Sequence, residues 1–134
     1  MKRLPSNTQI CPCGSGKSYA ECCQNYIEQT KDAPTAEALM RSRYSAFVLL
    51  NKEYLRYSWH PGSCPKTIHL NENVKWLGLK IVATKAGGLT DKTGEVEFVA
   101  RSKISGKAHR LHERSRFIYE NNRWLYIEGN FSDK

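Results

Sequence analysis

Four of the five cysteines in this 134-residue chain fall within the thirteen residues Cys11-Pro12-Cys13-Gly14-Ser15-Gly16-Lys17-Ser18-Tyr19-Ala20-Glu21-Cys22-Cys23. They form two pairs separated by eight residues. Thiolates are soft, strong ligands, and four of them close a tetrahedral structural zinc site. Gly14 and Gly16 tolerate positive φ, so the chain can fold back and bring Cys22 and Cys23 onto Cys11 and Cys13. The pattern reads as one structural Zn²⁺ held by Cys11, Cys13, Cys22 and Cys23. A closed four-sulfur shell has no open position for water, so such an ion holds structure and does not catalyse. Disulfides between the pairs, or thiols with no metal, are the alternatives the spacing leaves open. A redox dithiol at Cys11 and Cys13 would make no use of Cys22 and Cys23. No apolar run precedes Cys11, which favours a reducing, cytoplasmic setting. Cys64 is too remote in sequence to count as a ligand.

Further residues could carry chemistry in the second half of the chain. The strand pattern Leu111 to Tyr119 puts Leu111, Glu113, Ser115, Phe117 and Tyr119 on one face, which is apolar at its ends. Glu113 is therefore expected to point inward. Arg43 lies four residues from both Leu39 and Phe47, inside the apolar stripe of a helix, and a buried guanidinium needs a partner. A buried Arg43–Glu113 ion pair is the expectation. Arg41 lies off that stripe and reads as a surface charge. A pocket between helices and sheet would be lined by Arg43, Tyr44, Trp59, His60, Trp76, Glu113 and Trp124, with His60 or Glu113 as acid or base. The alternative is a filled core around one internal ion pair. No Ser-His-Asp set, phosphate loop or paired-acid motif is legible. On the opposite strand face, Arg101, Lys103, Arg114 and Arg116 would form a basic patch, with Lys107, His109, Arg110 and His112 nearby. A solvated edge that resists aggregation explains the same charges.

The elements that must position these residues change period midway. Residues 18–27 read as a helix carrying Cys22 and Cys23, and 29–34 as a polar linker. Thr35 can cap a helix whose Leu39, Met40, Tyr44, Phe47, Val48 and Leu50 share a face. A second helix runs from Asn51 to Trp59 and ends at His60-Pro61-Gly62. Residues 62–73 are irregular, with one helical turn expected at 67–70. From Val74 the period is two, with strands over 74–85, 95–104, 108–119 and 123–128 and turns at Ser105-Gly106-Lys107 and Asn121-Asn122. Helices first and an antiparallel sheet after is an α+β order, with the helices on one face of a curved sheet. Residues 1–10 read as a mobile lead-in.

The motif Cys-Pro-Cys-Gly-Ser-Gly-Lys, a Tyr, then Cys-Cys resembles the SEC-C motif, the zinc-binding module also found at the tail of the SecA translocation ATPase. Leu39 to Phe47, Trp59-His60-Pro61, Trp76-Leu77-Gly78-Leu79 and Glu113 to Phe117 resemble the YchJ-like bacterial family. That resemblance implies a SEC-C motif over 1–28. It also implies a nuclear-transport-factor-two-like (cystatin-like) α+β cone over 29–134, with Cys23 as the last metal ligand. The family is functionally uncharacterised, so the resemblance implies fold and metal more than activity. SecA-type motifs engage the export chaperone SecB and are associated with the ribosome.

Composition bounds the partners. The chain carries 21 Lys and Arg against 13 Asp and Glu, a net charge of +8, and it stays basic with a zinc tetrathiolate. That favours an acidic protein surface, the ribosome or nucleic acid. No apolar run is long enough to span a bilayer. The reading is a zinc-bearing interaction module and not an enzyme. The alternatives are a small-molecule-binding or hydrolase/isomerase-type pocket, and nucleic-acid binding through the basic sheet face.

Overall fold

The computed structural model describes residues 9–132, the last two through their backbone alone. A short 3₁₀ turn at Tyr19–Glu21 leads into helix α1, Cys23–Ile27. Two more helices follow, α2 over Ala36–Val48 and α3 over Lys52–Tyr57. Four strands then form an antiparallel meander in the order β1 (Val74–Ala86), β2 (Thr93–Ile104), β3 (Lys107–Glu120) and β4 (Arg123–Ser132). This is the α+β architecture expected.

Local chemistry accounts for the ends of the elements. Thr35 caps α2, its side chain accepting from the Ala38 amide at 3.1 Å, and Asn51 caps α3 by accepting from Tyr54 N–H at 3.0 Å. The β2–β3 and β3–β4 connections are the two-residue turns Ser105-Gly106 and Asn121-Asn122, and all four residues have positive φ. That geometry matches the right-handed twist of the strands it joins, and Asn and Gly adopt it at least cost. Register shifts bend β1 at Trp76/Gly78 and Ile81/Ala83, and β4 carries an extra residue opposite Arg116/Phe117. Such bulges curl the sheet around the helices. At the β4 edge, His60 N–H donates to Tyr126 O and Tyr126 N–H to Ser58 O, both at 2.8 Å. The α3 exit thereby covers part of an edge that would otherwise be open.

Helix α2 is buried on two sides. One side packs Leu39, Met40 and Tyr44 against Val96, Phe98, Phe117 and Trp124 of the sheet. The other packs Ala46, with Leu49 beyond the helix end, into a second core shared with Cys11, Cys13, Cys23, Tyr19 and Ile27 and with Tyr54 and Leu55 of α3. This explains why Ser42, Ser45 and Ala46 are all fully buried. Small residues let a second layer approach the helix closely, and each buried hydroxyl finds a partner. Ser42 Oγ lies 2.6 Å from Tyr54 Oη, and Ser45 Oγ 3.6 Å from Cys11 Sγ. A one-faced amphipathic helix was expected, and the second contact layer is the difference.

Several local expectations are corrected. The helix expected over 18–27 breaks at Cys22, at φ −129° and ψ −114°. Neighbours on a continuous helix point about 100° apart, and the break lets adjacent Cys22 and Cys23 face one cluster. The polar linker at 29–34 is tied down. Ala33 is buried, and Pro34 O accepts from Trp124 Nε1 at 3.2 Å. No helical turn forms at 67–70, where Ile68 instead plugs the second core. Most of the lead-in lies outside the described residues. Its last part is ordered, because Ile10 bridges Ser18 and Gln9 O accepts from Tyr19 N–H at 2.8 Å.

The Arg43–Glu113 ion pair does not form. Arg43 is buried, and its Nη1 donates to Leu55 O at 2.9 Å and Ser58 Oγ at 2.7 Å. Its guanidinium carbon lies 4.8 Å from the Trp59 ring centre and 4.4 Å from that of Tyr126. Burial lowers its pKa to about 10, so it stays charged at neutral pH, compensated by a carbonyl and two π faces. Glu113 is inward as expected, but accepts from Ser115 Oγ and from Tyr126 Oη, the latter at 3.3 Å. Tyr126 thus lies between the two charges. A double-mutant cycle of Arg43→Met and Glu113→Gln in urea unfolding is expected to give a coupling below about 1 kcal/mol. A coupling of about 3–5 kcal/mol, the scale for breaking a direct buried pair, would show the two in contact.

Candidate metal centre

Residues 10–18 form a tight knuckle. Cys11 N–H donates to Lys17 O at 2.8 Å, closing the loop, and Gly14 turns it at φ +81°. A Cβ at Gly14 would stand 3.0 Å from Leu79 O of β1, so glycine serves both the turn and the approach to the sheet. The knuckle supplies Cys11 and Cys13. The broken helix supplies Cys22 and Cys23.

The four sulfurs lie within 4.8 Å of one another. Cys13 Sγ is 3.6 Å from Cys22 Sγ, and Cys22 Sγ is 3.9 Å from Cys23 Sγ. Zinc–sulfur bonds of about 2.3 Å in a tetrahedron place sulfurs about 3.8 Å apart, so the spacing fits one ion. All five cysteines are free thiols, and these separations are far longer than a disulfide bond. Cys64 is not part of the cluster; its sulfur lies 3.7 Å from Arg56 Nη1 in the loop after α3.

Crowding governs the protons. Hydrogen bonds with Cys11 and Cys23 hold the Cys13 thiol far below the usual range. Cys22 is lowered to about 6, chiefly by its hydrogen bond with Cys23. Cys23 is pushed strongly upward by its hydrogen bonds with Cys11, then Cys13 and Cys22, and by burial. Cys11 is raised by its bond with Cys13. Two sulfurs therefore keep their protons so that the other two can ionise. A dication among them lets all four ionise, which is the chemistry expected of this donor set.

Three groups around the cluster escaped the reading of the sequence. Ser15 Oγ lies 3.2 Å from Cys22 Sγ, and Ser45 Oγ reaches Cys11 Sγ from α2. Arg41, expected at the surface, donates through Nη1 to Cys13 O at 2.8 Å and through Nε to Glu37 at 3.0 Å. It fastens the knuckle to α2. The Glu37–Arg41 spacing of four residues was a legible signal for a helical ion pair, but nothing in the sequence pointed to the second bond.

Each aromatic residue proposed to line a pocket packs against another ring. Tyr44 and Trp76 meet edge-on with ring centres 5.6 Å apart, Trp59 and Tyr126 at 5.3 Å, and Tyr119 and Trp124 at 5.5 Å. His60 sits at the rim, its Nε2 3.2 Å from Glu120 Oε2 and its Nδ1 accepting from Gly62 N–H. Among the described residues its ring and the Glu113 carboxylate have different hydrogen-bond partners; the two residues meet only through Tyr126, whose carbonyl accepts from His60 N–H and whose hydroxyl donates to Glu113. The basic patch also divides. Arg114 pairs with Glu97 at 3.2 Å and Arg116 pairs with Glu128, whereas Arg101 and Lys103 are exposed and make no ion pair among the described residues.

Comparison with known proteins follows the same outline. Residues 35–129 match the family described as YchJ, middle NTF2-like domain, and residues 8–25 match the SEC-C motif. A UPF0225 protein of Chromobacterium violaceum is 48% identical over 96% of this chain and 98% of its own length. One of Deinococcus radiodurans is 46% identical over 89% of this chain and 87% of its own. The solution structure of a SEC-C motif containing protein from Rhodopseudomonas palustris is 35% identical. It superposes with a TM-score of 0.82 over 92% of this chain and 98% of that one. The crystal structure of a sec-c motif containing protein from Psychrobacter arcticus is 28% identical, with a TM-score of 0.74 over 96% of this chain and 85% of that one.

The geometry gives a direct expectation for metal content. Parent and Cys64→Ser protein should each bind one divalent ion per chain by elemental analysis, and Cys13→Ser should lose it. The Cys13→Ser protein, or the parent after chelation, should unfold at least about 3 kcal/mol more easily in urea, because two buried layers share the cluster.

Proposed function

The chain belongs to the YchJ-like family of SEC-C motif proteins, and from that premise we propose that it is a zinc-bearing interaction module of the cytoplasm and not an enzyme. In this reading residues 1–28 are the zinc knuckle and residues 29–134 the domain that carries it. Cys11, Cys13, Cys22 and Cys23 hold one Zn²⁺, which supplies charge balance and rigidity. The partner is an acidic protein surface, free or ribosome-associated. Among the described residues no helix is long and apolar enough to cross a membrane.

The observation that carries the proposal is the surface beside the cluster. A cleft of about 370 Å³ runs between the knuckle and the start of α2, bordered by Ser15, Lys17, Cys22, Tyr26, Glu37 and Arg41. Cys22 is the least buried of the four cysteines, so the sulfur cluster forms part of that surface. Lys17 is exposed and makes no ion pair among the described residues. Arg41 is held in place by Cys13 O and Glu37. A metal at this position would fix both cations and the cleft wall together, which is how a small rigid module presents a docking surface at low entropic cost. The aromatic packing inside the cone argues in the same direction. The cavity that Trp124 borders is barely large enough for a single water.

Capture from lysate with parent, Cys22→Ser and Lys17→Glu proteins tests the reading. A protein partner retained by the parent and lost with both variants is expected. Equal recovery by all three would remove the knuckle from partner binding.

A further inference from the structure

The outer face of the sheet, turned away from α2, carries charge in two unlike halves. Toward the β1–β2 connection the strands are compensated. Lys85 stands opposite Glu95, which stands opposite Arg116, which pairs with Glu128. Glu97 bonds both His112 and Arg114. Toward the β2–β3 turn the pattern stops. On this face the strand segments 74–80, 99–104 and 107–112 place Lys75, Lys80, Arg101, Lys103 and Arg110, and the three segments contain no carboxylate. All five are exposed, and among the described residues none makes an ion pair.

The register makes this arrangement costly. Lys75 stands directly opposite Lys103, and Arg101 directly opposite Arg110. Like charges directly opposite on antiparallel strands repel and destabilise the pair. A surface needed only for solubility would alternate signs, as the other half of this face does. The repulsion is relieved when polyanion phosphates lie across the strands and counterions are released.

The composition of the block selects the polyanion. Three of its five cations are lysines and no aromatic side chain lies among them. Protein interfaces centre on aromatic or Arg anchors and are depleted of Lys. Single-stranded nucleic acid is held by bases stacked on aromatic rings. Here the aromatics of the sheet face inward. Trp76 meets Tyr44, and Phe117 and Trp124 lie in the core. A broad strand face cannot enter the grooves of B-form DNA as a helix or ribbon does. It can lie across the backbones that flank the wide, shallow minor groove of an A-form duplex, where recognition is by shape and phosphate. We propose that the cationic block of Lys75, Lys80, Arg101, Lys103 and Arg110 at the β2–β3 end of the outer sheet face docks on the phosphate backbone of double-stranded RNA. This surface is distinct from the cleft beside the cysteines, and the proposal does not depend on the partner assigned to that cleft.

The test uses fluorescence anisotropy of the full chain with a labelled RNA duplex of about 20 base pairs. Binding is expected to weaken on the order of 100-fold between about 50 and 200 mM salt, as several displaced counterions require. Arg101→Glu and Lys103→Glu each place a carboxylate opposite a cation. Each is expected to weaken binding on the order of tenfold or more while leaving the melting temperature equal to or above the parent's. Arg114→Gln, outside the block, should change binding less than about threefold. Weaker binding to a DNA duplex of the same sequence, to single-stranded RNA and to polyglutamate of matched charge supports the assignment. Equal or tighter binding to any of those three overturns it. So does retention of RNA binding in both charge-reversed variants, or a loss accompanied by a lower melting temperature in both.

Discussion

Four buried sulfurs cannot all be anions at contact distance unless a cation stands among them, and helix α2 rests directly on the place where this is resolved. Cys11 meets Ser45, and the Cys13 carbonyl receives Arg41. Ala46 packs into the core that also holds Cys13 and Cys23. The other side of α2 carries the sheet. The helix is therefore the shared wall of two cores, one organised by sulfur chemistry and one by aromatic packing. A domain of this size has little apolar surface to spare. Fixing one side of its central helix with a closed shell of strong ligands is a physical way to hold the other side in register.

That constraint also explains what the interior does with its polar residues. Arg43 sits between aromatic rings and carbonyl oxygen, with no carboxylate in contact. Glu113 stands one aromatic ring away, satisfied by Ser115 and Tyr126. Tyr126 touches both groups and so separates the two charges. Gly129 leaves room for the Glu113 carboxylate, since a Cβ there would overlap it.

Much of this was legible in the sequence where the determinant is local. The cysteine spacing, the period of two from Val74, the inward Glu113 and the positions of the hairpin turns are all set by residues within a few positions of one another. The cap at Thr35 is of the same kind. What escaped depends on distant packing. Arg41 looked like a surface charge because its second partner, the Cys13 carbonyl, lies 28 residues away. The burial of Ser42 and Ser45 carried no local signal because the layer that covers them belongs to other elements. The linker at 29–34 looked free because Trp124, whose indole binds Pro34, lies 90 residues on. Arg101 and Arg114 seemed equivalent on one strand face, and only the cross-strand register separated the compensated charge from the uncompensated one.

The two-sided burial of α2 can be read amide by amide. Hydrogen exchange on metal-replete and chelated protein should show protection lost through residues 39–48 and into α3, with the β2–β3 hairpin far less affected. Unchanged exchange in α2 after complete removal of the metal would mean that the helix does not rest on the sulfur cluster, and the account built on it would be wrong.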